Sequence, residues 1–189
     1  VLTGEYSYED SIQVTEAYLK AKKAVYRMHD AMNVIWEINP QDGKTKKLLR
    51  KEKWETEEAF ITWLGDADKI RMVRRKIRKI HSKFDKKFIL EISQINDGRC
   101  KRWISAWTIP FGRVKIRLCV NYLKYRTHLQ EKTLVHELGH EAGMLYHKRI
   151  HDCWRAQRAA ESVKNNVAKR SPENYAWLAM SYIGQKCTR

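Results

Sequence analysis

The run Leu134-Val135-His136-Glu137-Leu138-Gly139-His140 constrains this chain more than any other segment. Two histidines four apart share one face of a helix, a turn above each other, so their imidazoles can take two corners of one tetrahedral zinc site. Glu137 stands beside them. In that setting a carboxylate reaches a water whose pKa zinc has lowered, and accepts its proton as it attacks a peptide carbonyl. Leu134, Val135, Leu138, Ala142 and Leu145 give the motif an apolar helical frame, as a buried helix requires. Gly139 is a poor helix former, which predicts close packing against it. The competing reading is a surface helix with two chance histidines.

A catalytic zinc takes a third protein ligand and keeps one position open. Downstream candidates are Glu141, His147, His151 and Asp152. Glu141 follows His140 directly and points off the ligand face. His147 requires Gly143 to turn the chain back. His151 and Asp152 lie past a basic connector, Lys148-Arg149, before the next helix, and either can return to the metal.

The chain has 189 residues, enough for one domain with a real core and too few for two full ones. At 43% hydrophobic it is expected to fold unaided. A formal charge of +16 favours anionic partners, among them nucleic acid, a cell wall or membrane surface, and acidic proteins. The plainer reading is charge spread over solvated helix faces. No apolar run is long enough to cross a bilayer. The opening residues VLTGEYSYED lack the basic and apolar parts of a signal peptide. A removed leader, excision from a longer polypeptide, or another export route each accounts for this. Cys100, Cys119, Cys153 and Cys187 contain no CxxC pair, which excludes a cysteine ribbon. An even count fits two disulfides in an oxidising compartment, and also four buried thiols.

Periodicity predicts a helix from Tyr8 to about Trp36, with Ile12, Ala17, Leu19, Ala24, Val25, Met28, Met32 and Ile35 inward. Pro40 and Asp42-Gly43 then mark a turn, and the lysine-rich GKTKKLLRKEK reads as a solvated loop. We therefore divide the chain into a basic N-terminal helical segment, 1–50, and a second unit, 51–189. Helices are expected over Glu57 to Leu64 and Asp66 to Phe84, the second with Ile70, Val73, Ile77, Ile80 and Phe84 inward and its acids at the start. FILEIS, WISAWTI and VKIRLCVNYL read as three strands, the last two a hairpin. Helices follow from Leu129 to about Tyr146, Asp152 to Ala168, and Pro172 to Tyr182. The fold class is α+β and mostly helical: a zincin-like domain with a small antiparallel sheet.

These residues resemble the aspzincins, the deuterolysin and peptidyl-Lys metalloendopeptidase family. Trp63-Leu64-Gly65-Asp66 is similar to its W-[FL]-G-D segment. Thr133 to His140 is similar to its T-L-[VI]-H-E-L-[SG]-H core, and Ser171 to Trp177 to its closing N-A-[DE]-N-Y segment. The resemblance covers about the last two-thirds of the chain. It implies a zinc-dependent endopeptidase acting on proteins or peptides, with His136, His140 and Asp152 as ligands. Asp152 stands where the family's G-T-x-D-x-x-Y-G segment has its ligand. The Gly-Thr pair is missing, and Arg155 holds the place of the carbonyl-polarising Tyr; Arg155 or Tyr146 would then face the oxyanion.

The resemblance further implies that Cys100 and Cys119 bracket the sheet as a disulfide; Cys153 and Cys187, which flank the last two helices, are expected to pair and tie down the C-terminus. It implies a lysine preference after the scissile bond through Glu173, with Ala176 where a second acid is expected. Asn174 and Tyr175 inherit supporting roles. A secreted protein, or a toxin or effector delivered into a target cell with an inhibitor or immunity protein as partner, fits this chemistry; a monomer is expected. Two alternatives stand beside it. His151-Asp152-Cys153-Trp154 has some of the look of SprT/Spartan metalloproteases, whose third ligand is a His and whose partner is DNA. A non-enzymatic cationic binding module is the other.

Overall fold

Ser7 opens the first helix through a reciprocal cap: its hydroxyl accepts the Asp10 N–H and its own N–H donates to the Asp10 carboxylate, at 3.1 and 3.0 Å. The computed structural model describes residues 2–4, 6–40, 44–86, 88–93, 100, 104–108, 115–124, 127–144, 150, 152–162 and 167–187. Helix α1 spans Tyr8–Trp36, as the periodicity predicts, and buries Val14, Ala17, Ala21, Ala24, Val25, Met28, Met32 and Ile35. Ile12 and Leu19, expected inside, are 43% and 57% exposed. Val14 and Ala21 take their places, because steps of three and four residues from Ala17 lead to them.

The lysine-rich stretch is not a loop. It forms α2, Lys46–Glu55, capped by the Thr45 hydroxyl, which accepts the Leu48 N–H at 3.3 Å. Lysine, leucine and arginine are good helix formers, and a capped helix needs only one anchor to dock. Trp54 is that anchor: it is fully buried and donates its indole N–H to the Gly65 carbonyl at 2.9 Å. Helix α3 is Glu58–Leu64. Gly65 then adopts φ +73, and a Cβ there would lie 2.3 Å from the Ala160 carbonyl oxygen. The turn delays the next helix, so α4 runs Ile70–Asp85. Asp66 consequently caps no first turn and pairs with Lys169 instead. Val73, Ile77, Ile80 and Phe84 are buried as expected, while Ile70 is half-buried.

Strands β1 (Leu2–Gly4), β2 (Ile89–Ser93), β3 (Ala106–Thr108) and β4 (Lys115–Cys119) form one sheet in the order β1-β2-β4-β3. The last two strands pair antiparallel, as expected, with Trp107 opposite Arg117; the turn expected at Pro110-Phe111-Gly112 lies outside the described residues. The sheet is mixed rather than antiparallel, since β1–β2 and β2–β4 are parallel. Three residues of β1 are too few to show alternation in the sequence. The residues VNYL leave the sheet as a short helix α5, Val120–Leu123. Leu90, Ile92, Ala106, Ile116 and Leu118 are buried in the core.

Helix α6 is Thr127–Glu141, α7 is Cys153–Glu161, and α8 is Pro172–Ser181, with a 3-10 turn at Ala168–Arg170 before it. Helix α1 packs on α4, α6 and α8, so its apolar stripe belongs to the same core as the rest of the chain. Gly139 meets the close neighbour that its poor helix propensity predicts: a Cβ there would lie 2.8 Å from Pro172 Cβ, which lets α6 and α8 approach. Both expected disulfides are present, Cys100–Cys119 and Cys153–Cys187.

Candidate metal centre

Helix α6 ends in a turn built on Gly143, at φ +82, with the Met144 N–H on the Gly139 carbonyl at 3.1 Å and the Gly143 N–H on the His140 carbonyl at 2.9 Å. That reversal brings the Met144 carbonyl back to His140 Nδ1, at 2.7 Å. A carbonyl only accepts, so Nδ1 of His140 carries the proton. His136 Nδ1 lies 2.8 Å from Glu173 Oε2 on α8. Burial pushes the Glu173 carboxyl up, but Lys132 and His136 outweigh it and hold it down at about 2. The ionised oxygen accepts, and His136 is fixed in the same tautomer.

Each ring is therefore left with Nε2 as its lone-pair nitrogen, and the two Nε2 atoms stand 3.2 Å apart. Two acceptors at that distance repel unless a cation lies between them. Ligand nitrogens about 2.0–2.1 Å from a tetrahedral zinc are about 3.3 Å from each other, so the pair fits zinc. Among the described residues, His136, Glu137 and His140 form the metal-capable group, their donor atoms all within 4.8 Å of one another.

Glu137 is buried. Burial pushes its carboxyl up to about 8, opposed by a main-chain hydrogen bond from Thr108 on β3 and by Lys132, and assisted by Glu141. The Thr108 hydroxyl donates to Glu141 at 2.9 Å, and Lys83 lies 3.5 Å from the same carboxylate. Glu141 thus points off the ligand face, as its position in the sequence predicts. The edge strand β3 runs beside α6 through these contacts.

Asp152 occupies the N-cap of α7. Its Oδ1 accepts the Arg155 N–H at 2.8 Å and its Oδ2 lies 3.4 Å from Arg155 Nε. Both side chains are exposed, and Asp152 is not part of the group formed by His136, Glu137 and His140. Tyr146, His147 and His151 lie outside the described residues. Glu173, read in the sequence as a source of lysine preference, receives Lys132 at 2.8 Å, the Trp177 indole N–H at 3.0 Å, and His136. Its carboxylate is spent on Lys132, Trp177 and His136. Asn174 donates to the Trp63 and Ala156 carbonyls, both at 2.7 Å, and Tyr175 to the Lys169 carbonyl at 3.2 Å. They tie α3, α7 and the 3-10 turn to α8. Sequence reasoning missed Lys132, Met144 and Thr108. Lys132 had a signal, since it precedes His136 by the same four residues that separate His136 from His140.

No family model matches the chain, and no curated protein sequence matches it. Among solved structures, a zinc peptidase from Grifola frondosa aligns over 96% of this chain and 100% of its own, with a TM-score of 0.67 and 15% sequence identity. The mostly helical α+β fold of this chain is the fold of that zinc peptidase.

Proposed function

We propose that the chain is a zinc-dependent endopeptidase of the aspzincin type, with His136, His140 and Asp152 as metal ligands and Glu137 as general base. The observation that carries this is the pair of Nε2 atoms 3.2 Å apart, each left with its lone pair by a proton fixed on Nδ1. Bound there, zinc would supply the Lewis acidity that polarises a peptide carbonyl and makes water a nucleophile near neutral pH. Glu137 would take the proton from that water and pass it to the leaving amine. Asp152, at an exposed helix cap, completes the ligand set, and Arg155 beside it supplies positive charge to the oxyanion, with Tyr146 the alternative donor.

The substrate is a protein or peptide. A lysine preference would need an acid other than Glu173, whose oxygens are engaged. Two disulfides suit an oxidising compartment, and with it secretion or delivery as a toxin or effector. Metal content of Asp152→Ala, His151→Ala and His140→Ala tests the ligand set, alongside casein cleavage by the parent protein. Zinc lost from Asp152→Ala and His140→Ala but kept in His151→Ala supports it. Zinc kept in Asp152→Ala and lost in His151→Ala replaces it with a three-histidine, SprT-like site.

A further inference from the structure

Helix α4 carries Arg71, Arg74, Arg75, Lys76, Arg78, Lys79 and Lys83 against a single acid, Asp85. Its outer face borders a groove of about 890 Å³, lined by Lys69, Arg71, Arg74, Arg75, Arg78 and Lys79, with His29 of α1 and His81 beside them. Among the described residues, no Asp or Glu lines the groove. Among the described residues, Arg71, Arg75, Arg78 and Lys79 form no ion pair, and all four are exposed. Like charges therefore face one another, offset in part by Asp30 beside His29, Asp85 beside His81 and Glu37 near Arg74. The His29 imidazole is pulled down by burial and by His81, and the Arg74 guanidinium by burial and by Arg78. An anion in the groove would relieve that repulsion.

The chemistry of the lining selects the anion. Four of the six cations are arginines, whose planar forks match phosphate oxygens. They recur along one helical face, and from Lys69 to Lys79 the ridge is about 15 Å long. That length spans about four phosphates of one nucleic-acid strand at 3.4 Å each. A membrane surface fits less well. An interfacial helix buries its apolar face in lipid, whereas Val73, Ile77, Ile80 and Phe84 of α4 are already in the core. A protein partner would want an apolar centre, and among the described residues Met72 is the single apolar one lining the groove. Arg50 and Arg74 cover the nearby Trp36 ring, at 3.6 and 4.4 Å from its centre, so that ring is not a stacking platform for bases.

We infer that this arginine-lined groove binds the phosphate backbone of nucleic acid without reading its sequence. The inference does not depend on the peptidase reading, because the groove uses other residues and binding is measured without turnover.

Fluorescence anisotropy with a labelled 20-base single strand and a 20-base-pair duplex tests it, with phosphatidylserine vesicles as competitor. Binding at 50 mM NaCl should weaken about a hundredfold at 200 mM, as four phosphate contacts require. The double substitution Arg75→Glu and Arg78→Glu should weaken it at least tenfold. Lys124→Glu with Lys186→Glu, the same charge change on exposed residues elsewhere, should weaken it far less. The milder pair Arg71→Gln and Arg78→Gln, checked for folding by circular dichroism, should fall between. Equal losses in the two charge-reversed variants would mean net charge alone acts and would overturn the groove. Vesicle binding without nucleic-acid binding, or no binding at 50 mM, would overturn it as well.

Discussion

Glu173 of α8 and His136 of α6, 37 residues apart in sequence, meet at 2.8 Å between Oε2 and Nδ1. This contact puts the proton of His136 on Nδ1 and leaves Nε2 facing His140. Such a carboxylate behind a ligand histidine raises its basicity and holds its plane.

Glu173→Gln should therefore lower zinc affinity by about 10–100-fold while the chain stays folded. Competition with a zinc-sensitive dye measures it. Unchanged affinity would mean that packing alone holds His136.

Gly139→Ala tests the contact between α6 and α8. Alanine favours a helix by about 1 kcal/mol over glycine. Here its methyl would meet Pro172 at 2.8 Å, and overpacking of this kind costs about 1–3 kcal/mol. We expect a net loss of stability in urea unfolding, accompanied by weaker zinc binding because His136 and His140 flank the site. A more stable variant would contradict the contact.

The extent to which the chain could be read in advance follows from what each residue depends on. The α6 motif, α1 and the apolar face of α4 were legible because helical spacing is a local property. Gly139 was legible because a poor helix former inside a helix implies a close neighbour, though only the fold identifies it as Pro172. Helix α2 was misread because its charge suggested solvent, while its cap at Thr45 and its anchor Trp54 act through Leu48 and Gly65. The roles of Glu173 and Met144 were not legible: one depends on how α8 packs on α6, the other on a reversal at Gly143.

Lys76 gives a pH dependence. It is buried on α4, and burial, then Arg170, Arg75 and Lys79, lower its pKa from 10.5 to about 8. Below pH 8 both states carry the charge and the folded one bears its full penalty. Between about 8 and 10.5 the folded state has lost a proton that the unfolded state keeps, so stability should rise with pH. Thermal unfolding from pH 7 to 10 measures this. Lys76→Met should flatten the rise and be more stable at pH 7; an unchanged slope would contradict the assignment.

The disulfide Cys153–Cys187 ties the start of α7 to the segment after α8. Cys153→Ser with Cys187→Ser should lose about 2–4 kcal/mol, read from urea midpoints under non-reducing conditions. Mass spectrometry finding four free thiols in the parent protein would contradict both pairs.

The zinc-peptidase account is tested most directly by casein cleavage with zinc-loaded Glu137→Gln. The amide keeps the volume of the side chain and leaves His136 and His140 in place, but cannot accept a proton from water. The variant should hold zinc as the parent does and lose about 10²–10⁴ in rate. Cleavage at the parent rate by a variant of equal zinc content would contradict the account.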